Sequence, residues 1–147
     1  MDGWQPVGGN SCMSLAASEP YQDDPSGLEG VRVLVVEDGW QVADALRLSL
    51  EKLGMLVAGP VGTTEAARQL VRERCPDVAL VDINLKGEMA YALMEWLHKR
   101  GIRIVVISGY PDLPQALEGF AATLHKPFTA TALQATLQRV MAGAQVR

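Results

Sequence analysis

Three carboxylates, a hydroxyl and an ammonium each close a short apolar run of this sequence. Glu37 and Asp38 follow Val31–Val36, Asp82 follows Val78–Val81, Ser108 follows Ile102–Ile107, and Lys126 follows Ala122–His125. Brought to one rim, three carboxylates repel one another, and a cation relieves that repulsion. A donor set made of oxygens and rich in carboxylates suits Mg²⁺ better than zinc. A carboxylate can also act as a nucleophile toward phosphorus, giving an aspartyl phosphate.

The elements that must bring these residues together are legible in the periodicity. Val31-Arg-Val-Leu-Val-Val36 is short, β-branched and almost unbroken in apolar character, as a strand covered on both faces is. Met55–Val61, Val78–Val81, Ile102–Ile107 and Ala122–His125 read as four more strands. Trp40–Leu53 places Val42, Leu46, Ser49, Leu50 and Leu53 at helical spacing, and Gly54 closes it. A second helix opens at Thr63-Thr64-Glu65 and turns Ala67, Leu70 and Val71 inward until about Arg74, with Pro76 preventing its continuation. Glu88–Arg100 carries Ala92, Leu93, Trp96 and Leu97 on one face and ends at Gly101. Asp112–Gly119 reads as a weaker helix, with Pro111 and Pro114 near its start, and Thr129–Met141 as a last one, with Leu133, Leu137 and Val140 in phase.

Strand and helix thus alternate five times. The alternation predicts an α/β fold, a five-stranded parallel sheet with helices on both faces. By analogy the strand order is the flavodoxin-like 2-1-3-4-5, in which active sites lie at the carboxyl ends of the strands.

The 147 residues suffice for one domain, and a hydrophobic fraction of 48% with 20% charged residues is that of a globular protein. A net charge of −4 without a block of like charges offers no general attraction to nucleic acid. No apolar run approaches the roughly 20 residues of a membrane span, and the start Met-Asp-Gly-Trp lacks the character of a secretory signal. A cytoplasmic protein without membrane contact is therefore expected. Cys12 and Cys75 are expected to stay reduced, and His98 and His125 have no metal-ligand spacing. Residues 1–29, rich in Gly, Ser, Pro, Asp and Gln, are expected to be disordered, with Trp4 and Tyr21 as candidate partner anchors. The folded domain is expected over 30–147, with no output domain.

Four segments carry a family resemblance: Val35-Val36-Glu37-Asp38, Val81-Asp82-Ile83-Asn84, Ile107-Ser108-Gly109 and Lys126-Pro127-Phe128. In this order, each at a strand end, they resemble the motif set of two-component response regulator receiver domains across residues 31 to about 142. The resemblance implies that Asp82 is the phosphoacceptor, taking the phosphoryl group from a phosphohistidine of a sensor histidine kinase or histidine phosphotransfer protein. It implies Asp38 as direct Mg²⁺ ligand, Glu37 acting through a metal-bound water, and the backbone carbonyl of Asn84 completing the protein's share of the shell. Lys126 then pairs with phosphoryl oxygens, Ser108 makes the switching contact, and the Lys126–Pro127 bond is cis. Ile107-Ser108-Gly109-Tyr110 with Asn84-Leu85-Lys86-Gly87-Glu88-Met89 also resembles the FAT GUY subgroup, although Val106-Ile107-Ser108 replaces its Phe-Ala-Thr part.

One departure concerns the switch. Many receivers carry Tyr or Phe three residues before the lysine, where this chain has Thr123; Tyr110 is the available substitute, lying over the phosphoryl site. Taken singly, Glu37-Asp38 reads as a solvated turn and helix cap, and Asp82 and Lys126 as ordinary strand-end charges. Trp40 and Trp96 are expected to pack between helix and sheet. The functional expectation is a stand-alone regulator, not an enzyme in the ordinary sense, which signals to a downstream protein target by contact or serves as phosphate relay or sink. A pseudo-receiver without phosphoryl turnover is the alternative. A haloacid-dehalogenase-like phosphatase is disfavoured, because it needs an acid two residues after the nucleophile, where Asn84 stands.

Overall fold

The computed structural model describes residues 27–85, 88–109 and 121–143. Its elements run β1 (Arg32–Val36), α1 (Trp40–Lys52), β2 (Leu56–Val61), α2 (Thr64–Glu73), β3 (Val78–Asp82), β4 (Asn84–Leu85), β5 (Glu88–Met89), α3 (Tyr91–Lys99), β6 (Arg103–Ser108), β7 (Ala121–His125) and α4 (Ala130–Gly143). Five strands form one sheet in the order β2-β1-β3-β6-β7, every neighbouring pair parallel. Counted within this sheet, the order is second, first, third, fourth, fifth, as expected. The antiparallel ribbon of β4 and β5 was not foreseen, since two-residue strands leave no periodicity to read. Its second strand occupies positions expected to open the third helix, which begins at Tyr91 instead of Glu88.

The three central strands sort their side chains strictly by parity. Leu34, Val36, Ala79, Val81, Ile104 and Val106 join one buried cluster with Ala67 and Val71 of α2 and Leu93, Met94 and Leu97 of α3. Val33, Val35, Val78, Leu80, Val105 and Ile107 join the other with Leu46 and Leu50 of α1 and Leu133 and Leu137 of α4. Period-2 geometry with apolar residues on both faces therefore yields two core layers, one on each side of a single sheet.

Caps set the helix limits. The Thr63 side chain accepts from the Ala66 amide at 3.1 Å at the start of α2, and Thr129 Oγ1 accepts from the Ala132 amide at 3.0 Å at the start of α4. Gly54, just beyond the C-cap of α1, holds φ +83°, a conformation that favours glycine.

Several expectations need correction. Leu28 is fully buried in the layer under α1 and α4, so ordered packing begins inside the stretch read as disordered up to residue 29. Trp40 is 76% exposed instead of packed between helix and sheet; Ala43, Leu46 and Leu50 form the inward face of α1. Trp96 does rest partly buried against the core. Cys75 is disulfide-bonded, contrary to the expectation of free thiols, and Cys12, the chain's other cysteine, lies outside the described residues. Tyr110 and the segment read as a helix over 112–119 lie outside them too. Among the described residues, no helix is long and apolar enough to cross a membrane.

Candidate functional site

The strand ends deliver their side chains to one rim. β1 and β3 pair in register through Val36 and Val81, so Glu37 and Asp82 emerge side by side. β3 and β6 pair through Asp82 and Ile107, placing Ser108 one step beyond, and β6 and β7 pair Ser108 with His125, leaving Lys126 next in the chain. The Lys126 amide donates to the Ser108 carbonyl at 2.8 Å, tying the last strand end to its neighbour.

Each of Glu37, Asp38 and Asp82 offers a carboxylate oxygen within 4.8 Å of the others. Glu37 and Asp82 are buried, and Asp38 is half-buried. The Lys126 ammonium lies 3.2 Å from Asp82 Oδ2 and 3.5 Å from Glu37 Oε1, so one cation serves two carboxylates. Asp82 Oδ1 accepts from the Asn84 amide at 3.2 Å, and Glu37 Oε2 from the Gly39 amide at 3.0 Å. Ser108 is fully buried at the end of β6, and the Lys126–Pro127 bond is cis.

The electrostatics follow from this crowding. Burial pushes the Glu37 carboxyl above its ordinary range; the Gly39 amide works against the rise, and neighbouring Asp82 adds to it. Burial disfavours the Lys126 ammonium, but Asp82 and Glu37 outweigh it and raise the lysine above its ordinary value. Glu37 Oε1 is buried and, among the described residues, has no hydrogen-bond partner, an expensive state for a carboxylate oxygen. A hard cation, or water bound to one, satisfies such an oxygen, and the oxygen-only donor set fits Mg²⁺.

Sequence reasoning named Glu37, Asp38, Asp82, Asn84, Ser108 and Lys126 as candidates, and the structure gathers them on one rim. It missed the groups that act through the backbone. The Val61 carbonyl accepts from the Glu37 amide at 2.8 Å, and the Gly39 amide orients its carboxylate. The Gly59–Pro60 bond just before Val61 is cis, and the β1–β2 register shifts between Leu34 and Val36. Backbone groups carry no residue signature, so only the pair of turn residues Gly59-Pro60 hinted at irregularity there. Beside the rim, Val42, Leu46, Lys126, Pro127, Phe128 and Leu133 line an apolar groove between α1 and α4.

Residues 33–138 match the family described as the response regulator receiver domain. The chain belongs to that family. Receiver domains are signalling modules of two-component systems, in which phosphorylation and Mg²⁺ binding at an acidic pocket are typical. This receiver domain carries such a pocket in Glu37, Asp38 and Asp82. It is 31% identical over 94 residues to the uncharacterized transcriptional regulatory protein YbdJ of Bacillus subtilis, covering 63% of this chain and 41% of that protein. The signal receiver domain of a modulated diguanylate cyclase from Desulfovibrio desulfuricans is 29% identical, with a TM-score of 0.71, covering 80% of this chain and 98% of that one. The response regulator PhyR of Brucella abortus, 24% identical with a TM-score of 0.73, shares the fold over 81% of this chain and 51% of its own. The receiver domain thus spans about two fifths of YbdJ and half of PhyR.

Proposed function

We propose that this receiver domain takes a phosphoryl group from a phosphohistidine of a sensor histidine kinase or histidine phosphotransfer protein onto Asp82. The observation that carries the reading is the Asp82 carboxylate, held between the Lys126 ammonium at 3.2 Å and the acidic cluster of Glu37 and Asp38. In the transfer, an Asp82 carboxylate oxygen forms a bond to phosphorus as the P–N bond of the phosphohistidine breaks, and the departing imidazole takes up a proton. Asp38 would hold Mg²⁺ directly, Glu37 through a bound water, and the Asn84 carbonyl would complete the protein's share. When bound, the ion supplies positive charge to the phosphoryl oxygens in transit.

The chain's own groups do the rest. The Asn84 amide fixes the Asp82 carboxylate through Oδ1. Lys126 moves its ammonium from the carboxylates toward the arriving phosphoryl oxygens. Ser108, buried beside the nucleophile, donates its hydroxyl to the attached group and transmits its arrival to the β6 end. The groove lined by Val42, Leu46, Phe128 and Leu133 suits an apolar helix of the phosphodonor, because it opens beside Lys126. Signalling then proceeds by contact with a downstream protein, or the domain serves as phosphate relay or sink.

Incubation with acetyl phosphate and Mg²⁺ tests the reading. Wild type is expected to gain one phosphoryl group by intact-mass measurement, and Asp82→Asn and Mg²⁺-free samples none. Wild type without label under these conditions would reject the phosphoacceptor role and leave a binding module.

A further inference from the structure

A second cavity borders the acidic rim on the β2 side and has no part in the chemistry set out above. It measures about 490 Å³, a size typical of small-molecule sites. Glu37, Asp38 and Asp44 line it together with Trp40, and Pro60 and Val61 at the end of β2 complete the lining with Gly62. Trp40 is out of keeping with its place. It opens α1 directly after Glu37-Asp38-Gly39, and at 76% it is the most exposed large hydrophobic side chain among the described residues. Ala43, Leu46 and Leu50 form the buried side of α1, so the indole adds little to the core beneath that helix. Leaving it in water forgoes the burial of roughly 150–250 Å².

An indole face carries negative charge density, which attracts cations and flat rings and disfavours anions. Phosphodonors differ in what they leave behind on that scale. A phosphohistidine leaves an imidazole, which is flat, aromatic and cationic whenever both nitrogens are substituted or protonated. An acyl phosphate leaves a carboxylate, which an aromatic face and an acidic lining both repel. Arg47 holds Asp44 at 2.6 Å and Lys126 reaches Glu37 at 3.5 Å, so the lining carboxylates are partly offset and the indole carries the selection.

We propose that Trp40 is the platform for the imidazole ring of the phosphodonor, selecting phosphohistidine-type donors over acyl phosphates. The inference rests on Asp82 as the phosphoacceptor. In the step, an Asp82 oxygen bonds to phosphorus while the P–N bond breaks, its electron pair staying on nitrogen. A ring that arrives protonated on its other nitrogen leaves as neutral imidazole, which then takes a proton from solvent and becomes imidazolium. Stacking on Trp40 holds the ring in its cationic form before and after the bond breaks.

Two small donors, monophosphoimidazole and acetyl phosphate, read the selection in the full chain with Mg²⁺. Intact-mass time courses give the Asp82 labelling rate with each donor well below saturation, and the ratio of the two rates is the readout. A ratio is insensitive to the fraction of a variant that folds. Trp40→Ala is expected to lower the monophosphoimidazole-to-acetyl-phosphate ratio about three-fold or more, the size of one cation–π contact at an exposed site. Trp40→Phe, which keeps an aromatic face, is expected to retain most of the ratio, and Trp40→Leu, bulky but not aromatic, is expected to fall with Ala. Acetyl phosphate labelling of wild type with an unchanged ratio in Trp40→Ala overturns the platform alone, as does a Leu variant that matches wild type. Wild type labelled by neither donor overturns the Asp82 reading with it.

Discussion

The two ends of the central sheet each bury carboxylates, and they treat them in opposite ways. At the amino end, Asp77 accepts from the Arg32 amide at 3.0 Å, from its Nε at 3.3 Å and from its Nη2 at 3.2 Å. Both carboxylate oxygens are engaged by one guanidinium, and both side chains are nearly covered. At the carboxyl end, among the described residues, Glu37 and Asp82 share one ammonium, and Glu37 Oε1 has no hydrogen-bond partner. One end is satisfied and inert; the other is left short of positive charge. That shortage is what recruits a cation and favours an incoming phosphoryl group with its counter-ion.

The comparison breaks first at Asp77. Replacing it with Ala removes the carboxylate that pairs with the mostly covered Arg32 guanidinium, and a loss of about 3–5 kcal/mol in urea unfolding is expected. Protein that remains folded should still label at Asp82 with acetyl phosphate. If Asp77→Ala abolished labelling without changing stability, the division between a structural and a chemical end would be wrong.

At the other end the largest effect is expected on the metal. Glu37→Gln should weaken Mg²⁺ binding roughly 10–100-fold by titration calorimetry, the range for a group that orients a metal's bound water. The same substitution should stabilise the metal-free protein near neutral pH. Glu37 has its carboxyl raised above 4.5 in the folded state, so the native protein holds its proton more tightly than the unfolded chain. Its contribution is full below the unfolded value and is lost as pH rises through the raised one. Urea midpoints of the chelated wild type should therefore fall over that rise, and those of Glu37→Gln should not.

A smaller effect sharpens the contrast further. Lys126→Met removes the cation that competes with Mg²⁺ for Asp82 and Glu37, so ion affinity should rise, by about 3–10-fold, the size expected for one partly screened charge. Labelling of Asp82 should fall at the same time. Affinity that drops with labelling would mean that the lysine organises the pocket instead of competing within it.

Most of the sheet and its rim could be read in advance, for a physical reason. Apolar runs such as Val33–Val36 and Val78–Val81 announce buried strands, and the polar residues ending them must face the rim. Features without a side-chain pattern escaped. The β4–β5 ribbon is too short to show a period, and the Val61 and Gly39 backbone groups that hold Glu37 have no residue signature. Leu28 escaped because a single apolar residue in a polar stretch does not reveal that it plugs the layer under α1. Trp40 misled in the other direction: at the first position of α1 it stays largely exposed, and Ala43 takes the buried position.

The parity of the central strands has one more consequence. With valines and leucines on both faces, sliding β3 by one residue against β1 would exchange one apolar side chain for another, so oiliness alone marks the alignment poorly. The Arg32–Asp77 clasp and the Asp82–Lys126 contact sit at opposite extremities of β3, and a slip would tear both apart. The charged tips act as alignment pins, and the residues that make the rim reactive also keep the sheet in step.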